Sequence, residues 1–266
     1  MLKERRKMGI EIEFSGEGTR EGWQNYLERV ATKHGATIYT AYDNRKGVKA
    51  QYDYHLTYDG SVSGIGLELL TRPFALQDKP FIEAFRSILK DIREFGGEID
   101  LSCGLHIHIS GHDFLLEHIK RLMSFYYDNE RILFSLLHKS RQEGSYCHEM
   151  KKDLLKRVLR AKKNSTLASD WGYSRYNSLN LSPWFSSRHY EVRMGHGMLN
   201  PQRIINWCCL HGHIAQYVKE NDCKLLNYEK MKKTATEKHL KDMLKEIDFS
   251  KSIGYFVKEY EKWRSE

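Results

Sequence analysis

Polar and apolar positions alternate strictly from Lys7 to Phe14, where Ile10, Ile12 and Phe14 interleave with Glu11 and Glu13. A period of two is that of a β-strand, so the spacing predicts a strand with its apolar residues on one face. Glu11 and Glu13 then share the other face, about 7 Å apart at roughly 3.3 Å rise per residue. Alternation recurs in Gly66–Arg72, which ends at Pro73, and in Leu105–Ile109 within the stretch 98–110. Residues 37–42 and 48–58 alternate too, and read as a strand pair around Asn44–Gly47. Residues 175–181 and 189–194 read as two more strands, joined through Pro183 and Trp184.

A period near 3.6 marks the helices. Residues 19–34 carry Trp23, Tyr26, Leu27 and Val30 on one face, with Thr19 as N-cap and Gly35 as stop. Residues 80–95 place Phe81, Phe85, Ile88, Leu89 and Ile92 on one face. A long helix is expected from an Asp113 cap to about His138, and a basic one over 149–161. Residues 162–172 read as a loop, and Pro201 as a helix start. The lysine-rich stretch after about 228 reads as helical. This order of elements predicts an α+β fold: a mostly antiparallel sheet, helices on its outer face, and an open face lined by polar residues.

Composition narrows the class. At 266 residues the chain can bury a sizeable core. No apolar run approaches the roughly 20 residues of a membrane span. Met1–Lys7 has cations but no apolar segment behind them, so no signal peptide is expected. Five cysteines without a CxxC fit a reduced, cytoplasmic protein better than a disulfide framework or zinc ribbon. Cys208 and Cys209 lie in an apolar helical pattern and read as core residues. A net charge of +8 points to an anionic partner, although Lys151–Lys152, Lys162–Lys163 and Lys232–Lys233 also fit a solvated surface.

The strands carry the candidate chemistry. Glu68 sits between Leu67 and Leu69, and an acid on so apolar a strand is costly to bury unless paired or bound to a cation. His106 and His108 share a face opposite Leu105, Ile107 and Ile109, which suits a metal, phosphate or acid–base role as well as a structural one. Carboxylates with an imidazole favour Mg2+ or Mn2+ over Zn2+. Glu191 and Arg193 share a face of His189–Met194; an arginine beside an acid can grip phosphate through its planar fork, or form a surface ion pair worth little. Arg175 and Asn177 fall on one face of their strand and Asn180 on the other. Asp59-Gly60-Ser61 has the form of a turn. Cys147 and His148 are adjacent, which says nothing about geometry, and there is neither a P-loop nor a GxSxG motif.

Read in order, GIEIEF, YDGSV, LELLTRP, CGLHIHI, RYNSLNL and YEVRMG resemble the amidoligase family, within the superfamily of glutamine synthetase and glutamate–cysteine ligase. The resemblance spans about residues 7–200 and implies a curved, half-open barrel like the glutamine synthetase catalytic domain. It divides the chain into a catalytic domain over 1–225 and a helical extension over 226–266. It implies a carboxylate–amine ligase that uses ATP and Mg2+, or Mn2+, to make an amide through an acyl phosphate. By the same resemblance Glu11, Glu13, Glu68 and Glu191 hold metal, with His106 favoured over His108 as the metal histidine and either one at the phosphates. Arg175 and Arg193 contact phosphates or the phosphorylated carboxylate, and Asn180 belongs to the nucleotide-binding set. Asp59 serves the amine, supported by Ser61, although glutamine synthetase places its similar DGS before the ExE strand rather than after it.

Expected substrates are small or peptide-like acids and amines, with a large anionic substrate allowed by the charge. Two other functions fit the same residues. One is a metal-dependent hydrolase or nuclease that consumes no ATP. The other is a basic nucleic-acid-binding protein, which gives no reason for three inward glutamates.

Overall fold

The computed structural model describes residues 6–40, 48–143, 147–164, 176–221 and 234–265. They fall into two compact units, one drawn from residues 5–109 with 195–209 and the other from 110–194 with 210–266. Both are mixtures of helix and mostly antiparallel strand, and no described helix is long and apolar enough to cross a membrane.

The first unit is built on β1 (Lys7–Gly16), whose alternation buries Met8, Ile10, Ile12 and Phe14. Helix α1 (Arg20–Lys33) follows, its Gly22 amide capped by the Thr19 hydroxyl at 3.0 Å. Trp23 of α1 meets Phe14 edge-on at 5.5 Å, which seats the helix on the apolar face of β1. Strands β2 (Ile38–Tyr39), β3 (Tyr54–Tyr58), β4 (Ile65–Thr71) and β5 (Phe74–Ala75) come next, then α2 (Lys79–Glu94) and β6 (Gly104–Ser110). The Asp78 side chain caps α2, and Phe81 stacks on Tyr54 and Phe74. Within this unit the strands run β2-β3-β4-β1-β6, with β5 beside the start of β1. The pairings β3–β4, β4–β1 and β1–β6 are antiparallel. Helices α1 and α2 thus cover one face of the sheet, and the other carries Glu11, Glu13, Glu68, His106 and His108.

One expected hairpin is not there. β2 and β3 run parallel, pairing Ile38 with Tyr54 and Tyr39 with His55, and β3 begins at residue 54 rather than 48. Residues 48–53 instead form a turn in which the Asp53 carboxylate accepts from the Thr37 amide and hydroxyl, both at 2.9 Å. These bonds tie the residues just before β3 to those just before β2, so that the two strands start side by side. The Asn44–Gly47 turn expected there lies outside the described residues.

The second unit is mainly helical: α3 (Leu116–Phe134), α4 (Ser140–Glu143), α5 (Lys152–Arg160) and α6 (Ser182–Ser187). It also holds the short β7 (Leu179–Asn180), antiparallel to β8 (His189–His196). Helix α7 (Pro201–Glu220) starts in the first unit and ends in the second. Asp113 does not cap α3: Leu115 holds the cap position, its amide donating to His118 Nδ1 at 3.0 Å, while Asp113 pairs with Lys219 at 2.6 Å. The connection through Pro183 and Trp184 is helical, and of the strand expected over 175–181 the described residues keep Leu179 and Asn180. Helices α8 (Glu237–Glu246) and α9 (Ile253–Ser265) belong to this unit. Here His239 Nε2 lies 2.8 Å from Asn129 Oδ1 on α3.

Candidate functional site

In the first unit, strand register brings the predicted acids together. Glu13 stands directly opposite Glu68 in the antiparallel β1–β4 pair, and Glu11 opposite His106 in the β1–β6 pair. Like charges facing each other across a ladder destabilise a sheet unless something positive lies between them. Glu13 is only 7% exposed, which sharpens that cost, and one of its oxygens accepts from the Gly104 amide at 2.5 Å.

Glu11 sits between two imidazoles. His106 Nδ1 lies 3.0 Å from Oε2 and His108 Nε2 lies 2.9 Å from Oε1. Burial is the largest single influence on the Glu11 carboxyl and pushes its pKa up. The charges and hydrogen bonds of His108 and His106 together outweigh it and hold the group well below the ordinary carboxylate range. His106 also turns Nε2 toward Glu13 Oε1, at 3.9 Å. His106 and His108 therefore both lie on the acid-bearing face.

Two ligand sets follow. Glu11, Glu68 and His106 each offer an atom within 4.8 Å of the others, and so do Glu13, Asp59 and Glu68. Ligands on opposite sides of one Mg2+ are about 4.2 Å apart, and more around a larger ion, so both sets have the scale of a cation site. Glu68 is common to both. The donors are oxygens with one imidazole, which suits a hard cation.

Asp59 reaches this group from a tight turn. Its Oδ1 accepts from the Ser61 amide and hydroxyl, each at 2.7 Å. Gly66 permits the turn, because a Cβ there would lie 2.0 Å from the Asp59 carbonyl oxygen. A second turn braces the first: Ser102 Oγ accepts from the Ser63 amide at 3.1 Å, and Asp100 Oδ1 holds Ser102 by its amide at 2.7 Å and by its hydroxyl. Asp100 and Ser102 escape a reading of the sequence; the Asp-x-Ser spacing of a side-chain turn is their one local signal.

In the second unit, Glu191 is 4% exposed, so its pair with Arg193 Nη1 is no surface ion pair. Asn180 faces Glu191 in register and donates Nδ2 to its Oε2 at 2.7 Å, while Asn180 Oδ1 accepts from the Ser182 amide at 2.9 Å. Asn180 thus orients Glu191. Asn177 is buried and forms a parallel bridge with His148. Arg175 lies outside the described residues.

Two further residues in this unit are absent from the sequence motifs. Glu130 of α3 is fully buried, takes the Met150 amide on both oxygens at 3.0 Å, and also accepts from the Ser178 hydroxyl. The Ser178 carbonyl in turn accepts from the Arg193 amide at 2.8 Å. Arg141 donates Nη2 to the Arg193 carbonyl at 3.0 Å. Cys147 is buried and its thiol is pushed up to about 12, chiefly by that burial, so it does not supply a thiolate near neutral pH.

A family model described as "Putative amidoligase enzyme" matches residues 4–215. No curated protein matches the chain.

Proposed function

The chain belongs to the amidoligase family, and from that premise we propose that it is an ATP- and Mg2+-dependent carboxylate–amine ligase that forms an amide through an acyl phosphate. The observation that carries this reading is the facing pair Glu13–Glu68, flanked by Asp59 on one side and by Glu11 and His106 on the other. Such a group of acids demands positive charge. Mg2+, when bound, neutralises the phosphate oxygens and the charge that develops on them during phosphoryl transfer.

The chain's own residues take distinct parts in this reading. Glu11, Glu13, Glu68 and His106 hold the cations, and His108 fixes the second oxygen of Glu11. Asp59 is close enough to Glu13 and Glu68 to share a cation with them, or to draw an ammonium group toward the same acids. By the family resemblance, Glu191 adds a metal ligand in the second unit, Arg193 and Arg175 meet phosphoryl oxygens, and Asn180 keeps Glu191 oriented. The acid and amine are small or peptide-like, the net charge of +8 also admits a larger anionic substrate, and the protein works in the reducing cytoplasm.

The test is ADP release from ATP over a matrix of carboxylic acids and amines. ADP formation that needs both partners supports the ligase. Cleavage of a phosphodiester or amide with no nucleotide requirement contradicts it and favours a metal-dependent hydrolase.

A further inference from the structure

Asp100-Leu101-Ser102 repeats the Asp59-Gly60-Ser61 turn. In each, the aspartate Oδ1 accepts from the amide of the serine two residues on, at 2.7 Å, and from that serine's hydroxyl. The first copy brings a carboxylate to Glu13 and Glu68, whereas Asp100 joins no such group among the described residues. The leucine in the middle of the second copy is 68% exposed, so burying that side chain is not its use. Its contribution is polar. With its proton given to Asp100, Ser102 Oγ is left as an acceptor, and it takes the Ser63 amide at 3.1 Å. Ser63 ends the stretch that starts at Asp59, in which Gly60, Ser61 and Ser63 are all exposed. That stretch is anchored by buried Val62, by the Asp59 amide donating to the Gly66 carbonyl at 3.3 Å, and by Ser102. Two residues past Ser102, the Gly104 amide binds Glu13 at 2.5 Å. The segment from Asp100 to Gly104 thus reaches two of the three acids that meet here: Glu13 directly, and Asp59 through a hydroxyl.

We infer that Ser102 is a positioning residue: its hydroxyl, oriented by Asp100, sets the Asp59 carboxylate against Glu13 and Glu68 and so governs the affinity of that set for a divalent cation. The inference rests on the reading of those acids as a cation site. The alternative is that Ser102 only ties down a surface turn, and the two differ in what they do to a bound ion. Removing a partner that orients a metal ligand weakens metal binding about tenfold to a hundredfold. Val62 also anchors this turn, so the lower figure applies. Glu11, Glu68 and His106 form the other set, and Ser102 makes no hydrogen bond to any of them.

The experiment measures Mn2+ binding to nucleotide-free full-length protein through the electron paramagnetic resonance signal of the free ion. Wild type is compared with Asp59→Asn, Ser102→Ala, Ser102→Val and Ser102→Thr, with thermal melting in the absence of metal as the folding control. Asp59→Asn identifies the ion that depends on Asp59. The expected result is that Ser102→Ala and Ser102→Val weaken that same ion about tenfold and leave any other within about twofold. Ser102→Thr, which keeps the hydroxyl on the shape of valine, should stay within about twofold of wild type throughout. If Ser102→Ala fails to fold, the valine–threonine pair decides. An Asp59-dependent ion held by folded Ser102→Ala within about twofold of wild type overturns the inference and leaves the cation reading standing. So does equal weakening of every bound ion, or equal weakening by valine and threonine. Mn2+ binding indifferent to Asp59→Asn overturns it too. Absence of Mn2+ binding by the wild type overturns it and removes the cation reading with it.

Discussion

At the scale of single residues, charge is placed where burial makes it count. Glu11 remains anionic because two imidazoles oppose the cost of burying it, and Glu13 draws on a backbone amide. His211 shows the opposite solution. It is fully buried, lies 2.6 Å from the Tyr126 hydroxyl, and burial lowers its pKa to about 3. In the unfolded chain a histidine titrates near 6.5. Between about pH 6.5 and 3 the unfolded state therefore binds the extra proton, and stability declines as pH falls through that window. A single proton contributes at most about 1.4 kcal/mol per pH unit. His211→Gln keeps a polar partner for Tyr126 but cannot titrate. Urea denaturation from pH 6 to pH 4 should show a shallower loss of stability in that variant, by about 1 kcal/mol per pH unit. Equal slopes in the two proteins would mean that His211 is protonated in the folded state.

At the scale of elements, period-two patterning made the central strands legible. β1, β4 and β6 fall where Ile10–Phe14, Gly66–Thr71 and Leu105–Ile109 alternate, and their acids and imidazoles share the predicted face. Register was not legible. That Glu13 meets Glu68, and Glu11 meets His106, depends on how the strands align, which no local pattern encodes. The parallel β2–β3 pair was missed because alternation with a turn between reads as a hairpin, whereas Asp53 binds Thr37 and redirects the chain. Arg141 was missed because its Ser-Arg-Gln-Glu-Gly surroundings read as an exposed polar stretch, and its burial comes from tertiary packing. Arg175, read as a phosphate contact, falls outside the described residues. The Asp59 turn offers an element-scale prediction. A methyl group at Gly66 would meet the Asp59 carbonyl oxygen and the Val62 backbone, neither of which can swing aside. Gly66→Ala should cost about 1–3 kcal/mol in urea denaturation, because the added carbon must displace backbone. A cost below about 0.5 kcal/mol, the range of an inert surface change, would show that the turn yields freely.

At the scale of the whole molecule, the family match runs to residue 215, while the chain continues into α8 and α9. Those helices bury Leu240, Met243, Leu244, Phe256 and Tyr260 and belong to the second unit, so the C-terminal stretch contributes core as well as length. The account as a whole depends on the acids of the first unit holding cations for a nucleotide. Glu68 is the sharpest probe because both ligand sets share it. The decisive measurement is calorimetric titration of ATP, with and without Mg2+, into wild-type protein and Glu68→Gln. The account predicts ATP binding that requires Mg2+ in the wild type and is lost in the variant, with the metal-free melting temperature of the variant no lower than that of the wild type. ATP affinity indifferent to Mg2+, or unchanged in a folded Glu68→Gln protein, would contradict it.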